Sequence, residues 1–158
     1  MKTKFYQAPD AVITGNVSLG RDVSILYGAV LRGDSGQISI GDRTNIQDRC
    51  ILHEKTVVGS GCTIGHGAIV HGCTIGDGSL IGMGSIVLDG ASIGKNCLVG
   101  AGSLVTGKVH APDGVLLLGS PAKVIRPLSR EELDDLENSA NNYVKLAASS
   151  LPAQIRIG

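Results

Sequence analysis

The stretch Ile75-Gly-Asp-Gly-Ser-Leu-Ile-Gly-Met-Gly-Ser-Ile-Val-Leu-Asp-Gly-Ala-Ser-Ile-Gly-Lys-Asn-Cys-Leu-Val99 has a branched aliphatic residue at every sixth position. A small residue lies two places before each of these, and glycine often follows it. A fixed period of this kind indicates a repeat architecture. It extends over three blocks: Ile13, Leu19, Ile25 and Leu31; Ile40, Ile46, Leu52, Val58, Ile64 and Val70; Ile75, Ile81, Val87, Ile93, Val99 and Val105.

A period of six residues predicts short strands joined by tight corners, because it matches neither an α-helical turn nor the alternation of a long strand. Three such strands close a triangular coil of about 18 residues, with the aliphatic side chains inside and glycine at the corners. Stacked coils pair as parallel strands about 4.8 Å apart and bury one aliphatic column together. The sequence therefore predicts an all-β parallel β-helix.

Two changes of phase interrupt the repeat. Three extra residues lie in the segment from Asp34 to Gln37, and one residue is missing between Ile64 and Ile75. The position of the missing residue decides which face later side chains occupy, and we place it after His71.

The pattern changes beyond Val105. Ser129-Arg-Glu-Glu132 is a capping box. We expect residues 1–128 to form the β-helix domain with an N-terminal lead-in and a closing loop, residues 129–148 a C-terminal α-helix packed on it, and residues 149–158 a loose tail. The helix is predicted from apolar residues at helical spacing: Leu133, Leu136, Ala140, Tyr143 and Leu146 or Ala147.

Charge and hydropathy exclude several classes of function. Fourteen basic residues balance fourteen acidic ones, so net charge gives no general attraction to nucleic acid or to anionic membranes. No signal peptide and no membrane-spanning segment is recognisable in the sequence. We predict a cytoplasmic protein with neither nucleic acid nor a membrane as partner.

The four cysteines share one position of the repeat, two residues before an aliphatic residue. Alanine, serine, threonine and valine occupy this position elsewhere, and there is no Cys-x-x-Cys motif. Because cysteine commonly behaves as a small buried hydrophobe, we expect reduced, structural thiols. They are Cys50, Cys62, Cys73 and Cys97.

Two histidines occupy outward positions one coil apart. His53 and His71 each follow an inward aliphatic residue and are separated by one coil length, so they stack about 4.8 Å apart on one face. Arg32 belongs to the same face if the three extra residues count as part of one hexad. Two imidazoles at this spacing can share a metal ion.

A third histidine, His66, lies beyond the preceding face, near Gln47 and Asp48. Two faces of a triangular prism diverge, so His66 does not easily join His53 and His71 in its own chain. A neighbouring subunit around a threefold axis can supply it. The spacing therefore predicts a homotrimer with one metal site at each interface.

Three neutral histidines leave the fourth tetrahedral position open, as in a catalytic zinc site. A metal ion there lowers the pKa of bound water towards about 7, which makes a metal-bound hydroxide at neutral pH. Zinc is the expected ion, although histidine nitrogens also suit iron, cobalt and nickel.

The residues that carry these features resemble the γ-class carbonic anhydrases, which are hexapeptide-repeat proteins with a left-handed parallel β-helix. The resemblance lies in Arg32-Gly-Asp34, Thr44-Asn-Ile-Gln-Asp48, His53 and Gly65-His-Gly-Ala-Ile-Val-His-Gly72. It implies a homotrimer that hydrates carbon dioxide reversibly to bicarbonate, with zinc between subunits.

The resemblance also implies roles for single residues. The metal ligands are His53, His66 and His71. Gln47 orients the hydroxide or the substrate, and Asn45 supports Gln47. Ion pairs at the subunit boundary involve Arg32, Asp34 and Asp48.

Two proton-carrying features of the family are missing. Its glutamate after Arg-Gly-Asp is Ser35 in this chain, and its acidic loop after the first metal-binding histidine is absent. Carbon dioxide hydration must export a proton, so we expect a carbonate dehydratase of weak activity. Glu54 is a candidate substitute, and Tyr143 is a candidate catalytic residue that could reach the site from the helix.

Three other functions stay open. Hexapeptide-repeat acyltransferases share the β-helix and the ending Gly119-Ser-Pro-Ala-Lys123, and they use a histidine as general base. A metal-dependent thioesterase would need no change of site. A non-catalytic, metal-stabilised trimeric scaffold is favoured by the missing proton carriers.

Overall fold

A computed structural model describes residues 4–149 and 154–157 of the chain. The chain forms a parallel β-helix of about six turns followed by one α-helix. The three faces of the β-helix are named below by what they carry.

The helix face is a parallel stack that the α-helix covers. Its strands are β3 (Val23–Ile25), β5 (Asn45–Ile46), β8 (Thr63–Ile64), β11 (Leu80–Ile81), β14 (Leu98–Val99) and β17 (Val115–Gly119). Two further strands extend it. The N-terminal β1 (Lys4–Gln7) pairs in parallel with β3, and β18 (Ala122–Pro127) folds back antiparallel onto β17.

The histidine face and the third face join through two long strands that turn a corner, β2 (Val12–Leu19) and β4 (Val30–Ile40). The first half of β4 pairs with β6 (Ile51–His53), and its second half pairs with β7 (Thr56–Val58). The histidine face continues with β9 (Ile69–His71), β12 (Ile86–Val87) and β15 (Leu104–Val105). The third face continues with β10 (Thr74–Ile75), β13 (Ser92–Ile93) and β16 (His110–Ala111).

The aliphatic residues of the repeat form one buried column, as predicted. Each is at most 4% exposed except Ile13 and Leu19 of the first coils, which are partly buried. Full burial of one such side chain stabilises the fold by about 1.5–3 kcal/mol. Ala111 and Leu117 continue the column past Val105, where the sequence repeat fades.

The three extra residues lie in the middle of β4. Gly15 pairs with Gly33, but Val17 already pairs with Ile38, so the insertion lies opposite Asn16. It carries its side chains out of the regular register at the edge of the histidine face.

The missing residue shortens one corner. Leu52 pairs with Val70, 18 positions later, whereas Val58 pairs with Ile75, 17 positions later. The loss therefore falls after Val70, and His71 keeps its place on the histidine face.

All four cysteines are buried and free. Burial raises the pKa of the Cys50 and Cys62 thiols to about 11 and that of Cys73 to about 12. Thiols held in the neutral form at physiological pH are poor nucleophiles and poor metal ligands. This geometry agrees with the predicted structural role.

The helix α1 (Arg130–Ser149) begins at the predicted capping box, in which the backbone N–H of Glu132 donates to Ser129 Oγ and that of Ser129 donates to Glu132 Oε2. It contacts β3, β5 and β8 of the helix face. Of the predicted apolar stripe, Leu136, Ala140 and Ala147 are buried, whereas Leu146 is exposed.

The loose tail predicted for residues 149–158 lies partly outside the described residues, and its described part consists of the last helical residue, Ser149, and one strand. Residues Gln154–Ile157 form a strand, β19, which pairs antiparallel with β1. The pairing satisfies the free edge of β1 with a partner that lies far away in the sequence, so no local pattern announces it.

Within residues 4–149 and 154–157, no helix combines the length and the apolarity needed to cross a membrane.

Candidate metal centre

The parallel register brings three predicted residues into one column of the histidine face. Arg32 pairs with His53, and His53 pairs with His71. The His53 Nδ1 and His71 Nε2 atoms are 3.1 Å apart, and the two ring centroids are 5.1 Å apart. The inward Leu52 and Val70 that precede the histidines are fully buried, so both histidine backbones are anchored in the core.

The outer nitrogen of each ring faces a carboxylate. His53 Nε2 lies 3.0 Å from Asp34 Oδ1, and His71 Nδ1 lies 2.5 Å from Asp89 Oδ1. An ionised carboxylate only accepts hydrogen bonds, so each outer nitrogen carries its ring's N–H. The two inner nitrogens then present lone pairs to each other, and this arrangement calls for a shared cation, either a proton or a metal ion.

The inner nitrogens fit one metal ion. Two nitrogen ligands of a tetrahedral zinc, each at about 2.0–2.1 Å, lie about 3.3 Å apart, close to the observed 3.1 Å between His53 Nδ1 and His71 Nε2. Metal-binding histidines usually donate their other N–H to a carboxylate or a carbonyl, as both rings do here. The donor set therefore suits zinc or a similar divalent ion.

Within a single chain, the nearest third donor is Glu54. His53, Glu54 and His71 form the one group of three metal-ligating side chains, with atoms within 4.8 Å of one another, among the residues that the structure describes. Glu54 Oε1 lies 3.9 Å from His53 Nδ1, and the Glu54 backbone adopts a left-handed conformation, with φ at 58°.

The insertion supplies a polar border around His53. Asp34 Oδ2 accepts a hydrogen bond from Arg32 at 2.6 Å, and Ser35 Oγ lies 3.1 Å from His53 Nε2 and 2.9 Å from Glu54 Oε1. The hydrogen bonds with His53 and Arg32 lower the pKa of Asp34. The predicted pair Arg32–Asp34 is thus present, and it is half-exposed.

Asp89 is the site residue that sequence reasoning missed. It lies in the corner after β12, on the coil beyond His71, and its hydrogen bond with His71 lowers the pKa of the Asp89 carboxyl. One sequence signal could have indicated Asp89. It is an acidic residue about one coil after the candidate ligand His71, in a part of the repeat where glycine is frequent.

A second group of predicted residues lies at the edge of the helix face. Gln47 Nε2 donates to Asn45 Oδ1 at 3.1 Å, while Gln47 Oε1 accepts from the His66 backbone N–H at 3.1 Å. Asn45 is itself held by Thr63 Oγ1 at 2.9 Å. Gln47 is only 5% exposed, and these hydrogen bonds fix the direction of its side-chain amide.

The His66 side chain belongs to this second group. Its Nδ1 lies 2.8 Å from Asp48 Oδ2, one coil earlier at the same corner, and nearly half of the side chain is exposed. Asp48 thus pairs with His66 in the chain rather than with Arg32 or Asp34.

Tyr143 reaches the same place from α1. With Gln47, His66 and Met83 it lines a mostly apolar cleft of about 470 Å³ between α1 and the helix face. Burial, and secondarily the charge of Asp48, raise the pKa of the Tyr143 phenol.

The predicted site is therefore divided between two places in one chain. The first half-site contains His53, His71, Arg32 and Asp34, and the second contains Gln47, Asn45, His66, Asp48 and Tyr143. Within the described residues, no nitrogen of His66 comes within 4.8 Å of the His53, Glu54 and His71 donors as a group.

Comparison with known proteins identifies the class. Residues 72–107 match the family described as bacterial transferase hexapeptide (six repeats). The chain is 42% identical to the carbonic anhydrase of Geobacillus kaustophilus, over 84% of this chain and 75% of that protein. It is also 42% identical to the mitochondrial gamma carbonic anhydrase 2 of Arabidopsis thaliana, over 90% of this chain and 55% of the plant protein. The chain therefore spans little more than half of the plant relative.

The fold has a close match among solved structures. A hexapeptide transferase family protein from Anaplasma phagocytophilum superposes with a TM-score of 0.83 at 41% identity, over 94% of each chain. These similarities confirm the resemblance found in the sequence: the chain belongs to the γ-class carbonic anhydrase family of hexapeptide-repeat proteins.

Proposed function

We propose that the protein is a γ-class, zinc-dependent carbonic anhydrase that hydrates carbon dioxide reversibly to bicarbonate at the interfaces of a homotrimer. The observation that carries this proposal is the His53–His71 pair, whose inner nitrogens face each other 3.1 Å apart while carboxylates hold both outer nitrogens. His66 of a neighbouring subunit completes the ligand set, because its own chain keeps it in the other half-site.

The metal ion, when bound by these histidines, lowers the pKa of a coordinated water towards about 7 and so supplies a nucleophile at neutral pH. The protein supplies orientation. Gln47 Nε2 donates one hydrogen bond, to Asn45 Oδ1, and a side-chain amide nitrogen carries a second hydrogen. That hydrogen can donate to a substrate oxygen in a fixed direction.

Proton export is the weak point of this site. Ser35 Oγ contacts both His53 Nε2 and Glu54 Oε1, so a short polar path leads from the histidine pair to the solvent-facing Glu54. We expect turnover limited by proton transfer, with a rate that rises when imidazole buffer is added in stopped-flow measurements. If the protein shows no basal rate and no increase with imidazole buffer, the non-catalytic scaffold is favoured instead.

Subunit mixing tests the divided site. The His66→Ala and His71→Ala variants should each be inactive and metal-poor as pure trimers. After dissociation and random reassociation in equal amounts, about a quarter of the wild-type sites should return, because about three quarters of the trimers are mixed and each mixed trimer rebuilds one of its three interfaces.

Mixing His53→Ala with His71→Ala is the matched control, since both ligands come from the same subunit and no interface is rebuilt. His110→Ala controls for removal of a histidine outside both half-sites. Zinc content and carbon dioxide hydration are measured in parallel. Recovery in the control mixture, or none in the test mixture, contradicts the shared site.

A second candidate function is favoured by the cleft beside Gln47, His66 and Tyr143. The cleft volume of about 470 Å³ is larger than carbon dioxide needs. Its mostly apolar lining suits an acyl group. The same centre would then cleave a thioester. Hydrolysis of acyl-coenzyme A that requires the metal supports this function, whereas coenzyme A binding by metal-free protein favours an acyltransferase.

The cytoplasmic location stays a prediction.

A further inference from the structure

We propose that Asp89 is a positioning residue that sets the tautomer of His71 and thereby aims its Nε2 lone pair at the metal, and that Gly72 is required because it leaves room for the Asp89 carboxylate. The metal-binding consequence rests on the proposed function. The tautomer itself does not.

The Asp89 side chain approaches His71 from the next coil. Its Oδ1 lies 2.5 Å from His71 Nδ1, although more than half of the side chain is exposed to solvent. The register Val70 with Val87, continued by two residues, places Asp89 opposite Gly72, and the Gly90 backbone N–H donates to the Gly72 carbonyl at 2.9 Å. The backbone around Asp89 is thus tied to the corner that follows His71.

Gly72 creates the space that Asp89 occupies. A Cβ atom at position 72 would lie 2.6 Å from Asp89 Oδ2 and 2.7 Å from Asp89 Cγ, inside van der Waals contact. Any side chain at Gly72 would therefore push the carboxylate away from His71. In the preceding coil, Glu54 follows His53 at the position that corresponds to Gly72. The carboxylate that hydrogen-bonds His53 there is Asp34, which contacts the Nε2 atom of the ring.

The two carboxylates thus clamp the histidine pair from opposite ends. A neutral imidazole carries one N–H, and the acceptor on one nitrogen decides that the other keeps its lone pair. With Asp89 on Nδ1, the His71 Nε2 lone pair points to His53 Nδ1 at 3.1 Å. Without Asp89, His71 can place its proton on Nε2, where it blocks the metal position.

The first test measures metal affinity. Carboxylates that hold metal-binding histidines typically contribute about 10- to 100-fold to metal affinity. We expect a loss of this size for Asp89→Ala in zinc competition with a chromophoric chelator, and a smaller loss for Asp89→Asn, whose amide oxygen still accepts the N–H. Gly72→Ala should reproduce the Asp89→Ala loss with Asp89 still in place.

Gly114→Ala is the matched control for Gly72→Ala. Both glycines have a left-handed backbone, with φ at 62° and 70°, but nothing lies within 4 Å of a Cβ at Gly114. Both variants should therefore carry similar backbone strain and a similar loss of melting temperature. Only Gly72→Ala should lose metal affinity.

The second test reads the tautomer directly in metal-free protein. With ¹⁵N-labelled histidine in alkaline buffer, His71 of the wild type should show a protonated Nδ1 and a free Nε2, and Asp89→Ala should shift His71 towards the opposite tautomer. The His71 signals are assigned by their loss in His71→Ala.

An unchanged tautomer together with a zinc affinity within about twofold of wild type in Asp89→Ala overturns the proposal. If the wild-type protein binds no zinc, the proposed function fails, while the tautomer measurement still decides the role of Asp89.

Discussion

Two stacked pairs on different faces of the β-helix differ in the groups that surround them. On the histidine face, His53 and His71 meet one coil apart; on the third face, Ser92 and His110 do the same, with Ser92 Oγ 2.8 Å from His110 Nδ1. Both contacts follow from parallel register alone. Among residues 4–149, carboxylates hold the outer nitrogens of the first pair, and none contacts His110.

Each carboxylate lies at or opposite a break in the repeat. Asp34 belongs to the insertion in β4, and Asp89 lies on the coil that follows the shortened corner after Val70. The Ser92–His110 pair lies where the coils keep a regular length of 18 residues, as Ile93 pairs with Ala111. Regular coils thus stack side chains one coil apart, and the irregular positions of the repeat bring carboxylates to the outer ring nitrogens.

The largest expected effect comes from the core beneath each pair. Leu52→Ala and Ile93→Ala remove comparable buried side chains, and each should lower the free energy of unfolding by about 2–5 kcal/mol. Because Leu52 adjoins His53, only Leu52→Ala should also weaken zinc binding. Denaturant unfolding of metal-free protein at one fixed concentration, followed by chelator competition, checks this. Equal zinc affinities would show that the core does not position the pair.

The next effect concerns the third face itself. Ser92→His places two histidines one coil apart there, without carboxylates. We expect the added pair to bind zinc about 10- to 100-fold more weakly than the native centre, because its ring nitrogens lack orienting partners. Zinc titration monitored by calorimetry would resolve the two classes of site. A second ion bound as tightly as the first would show that stacking alone suffices.

A smaller effect is expected at the other end of the histidine pair. Asp34→Asn removes a charge from His53 Nε2, but Ser35 Oγ also lies 3.1 Å from that nitrogen and remains as a partner. The loss of zinc affinity should therefore be below about tenfold, less than for Asp89→Ala. Ser35→Ala combined with Asp34→Ala, which removes both acceptors, should bring the loss to the Asp89→Ala level. If Asp34→Asn alone costs as much, Ser35 is not a partner.

The smallest effect concerns the thiols near and far from the shortened corner. Cys73 follows His71 by two residues and Cys62 lies outside that corner, yet burial raises the pKa of both thiols, to about 12 and about 11. We expect no reaction of either with a disulfide reagent in the native protein at neutral pH, and full reaction in denaturant. Faster labelling of Cys73 would show that the shortened corner opens.

The same pKa values predict how stability depends on pH. The unfolded thiols ionise near 9.0, before the folded ones at about 11 to 12. The contribution of the buried, neutral thiols to the free energy of unfolding is therefore fully present below pH 9. It is lost as the pH rises towards 11 to 12. Urea unfolding across this range, with Cys62→Ser as a comparison, measures the slope.

Much of the fold could be predicted because each position of the repeat reports its own environment. The inward column, the stacking of His53 on His71 and the capping box of α1 all follow from spacing within short segments. The separation of His66 from that pair also follows, since it depends only on which corner the residue reaches. The roles of these residues in metal binding stay predictions.

Other features of the site and of the fold depend on groups that are distant in sequence. The contact of Asp89 with His71 depends on the register after the shortened corner and on the missing side chain at Gly72. The fixed amide of Gln47 depends on the backbone of His66 in the next coil. The strand Gln154–Ile157 depends on an open edge at the opposite end of the chain.

The sequence by itself determined the coil, its buried column and the two histidines that share a face, because a six-residue period acts through local sterics and burial. Only the tertiary structure decided which carboxylate holds which ring nitrogen and which residues form separate half-sites. The physical reason is that hydrogen-bond partners are chosen across coils, where insertions and losses of single residues add up and a missing Cβ can admit or exclude a side chain.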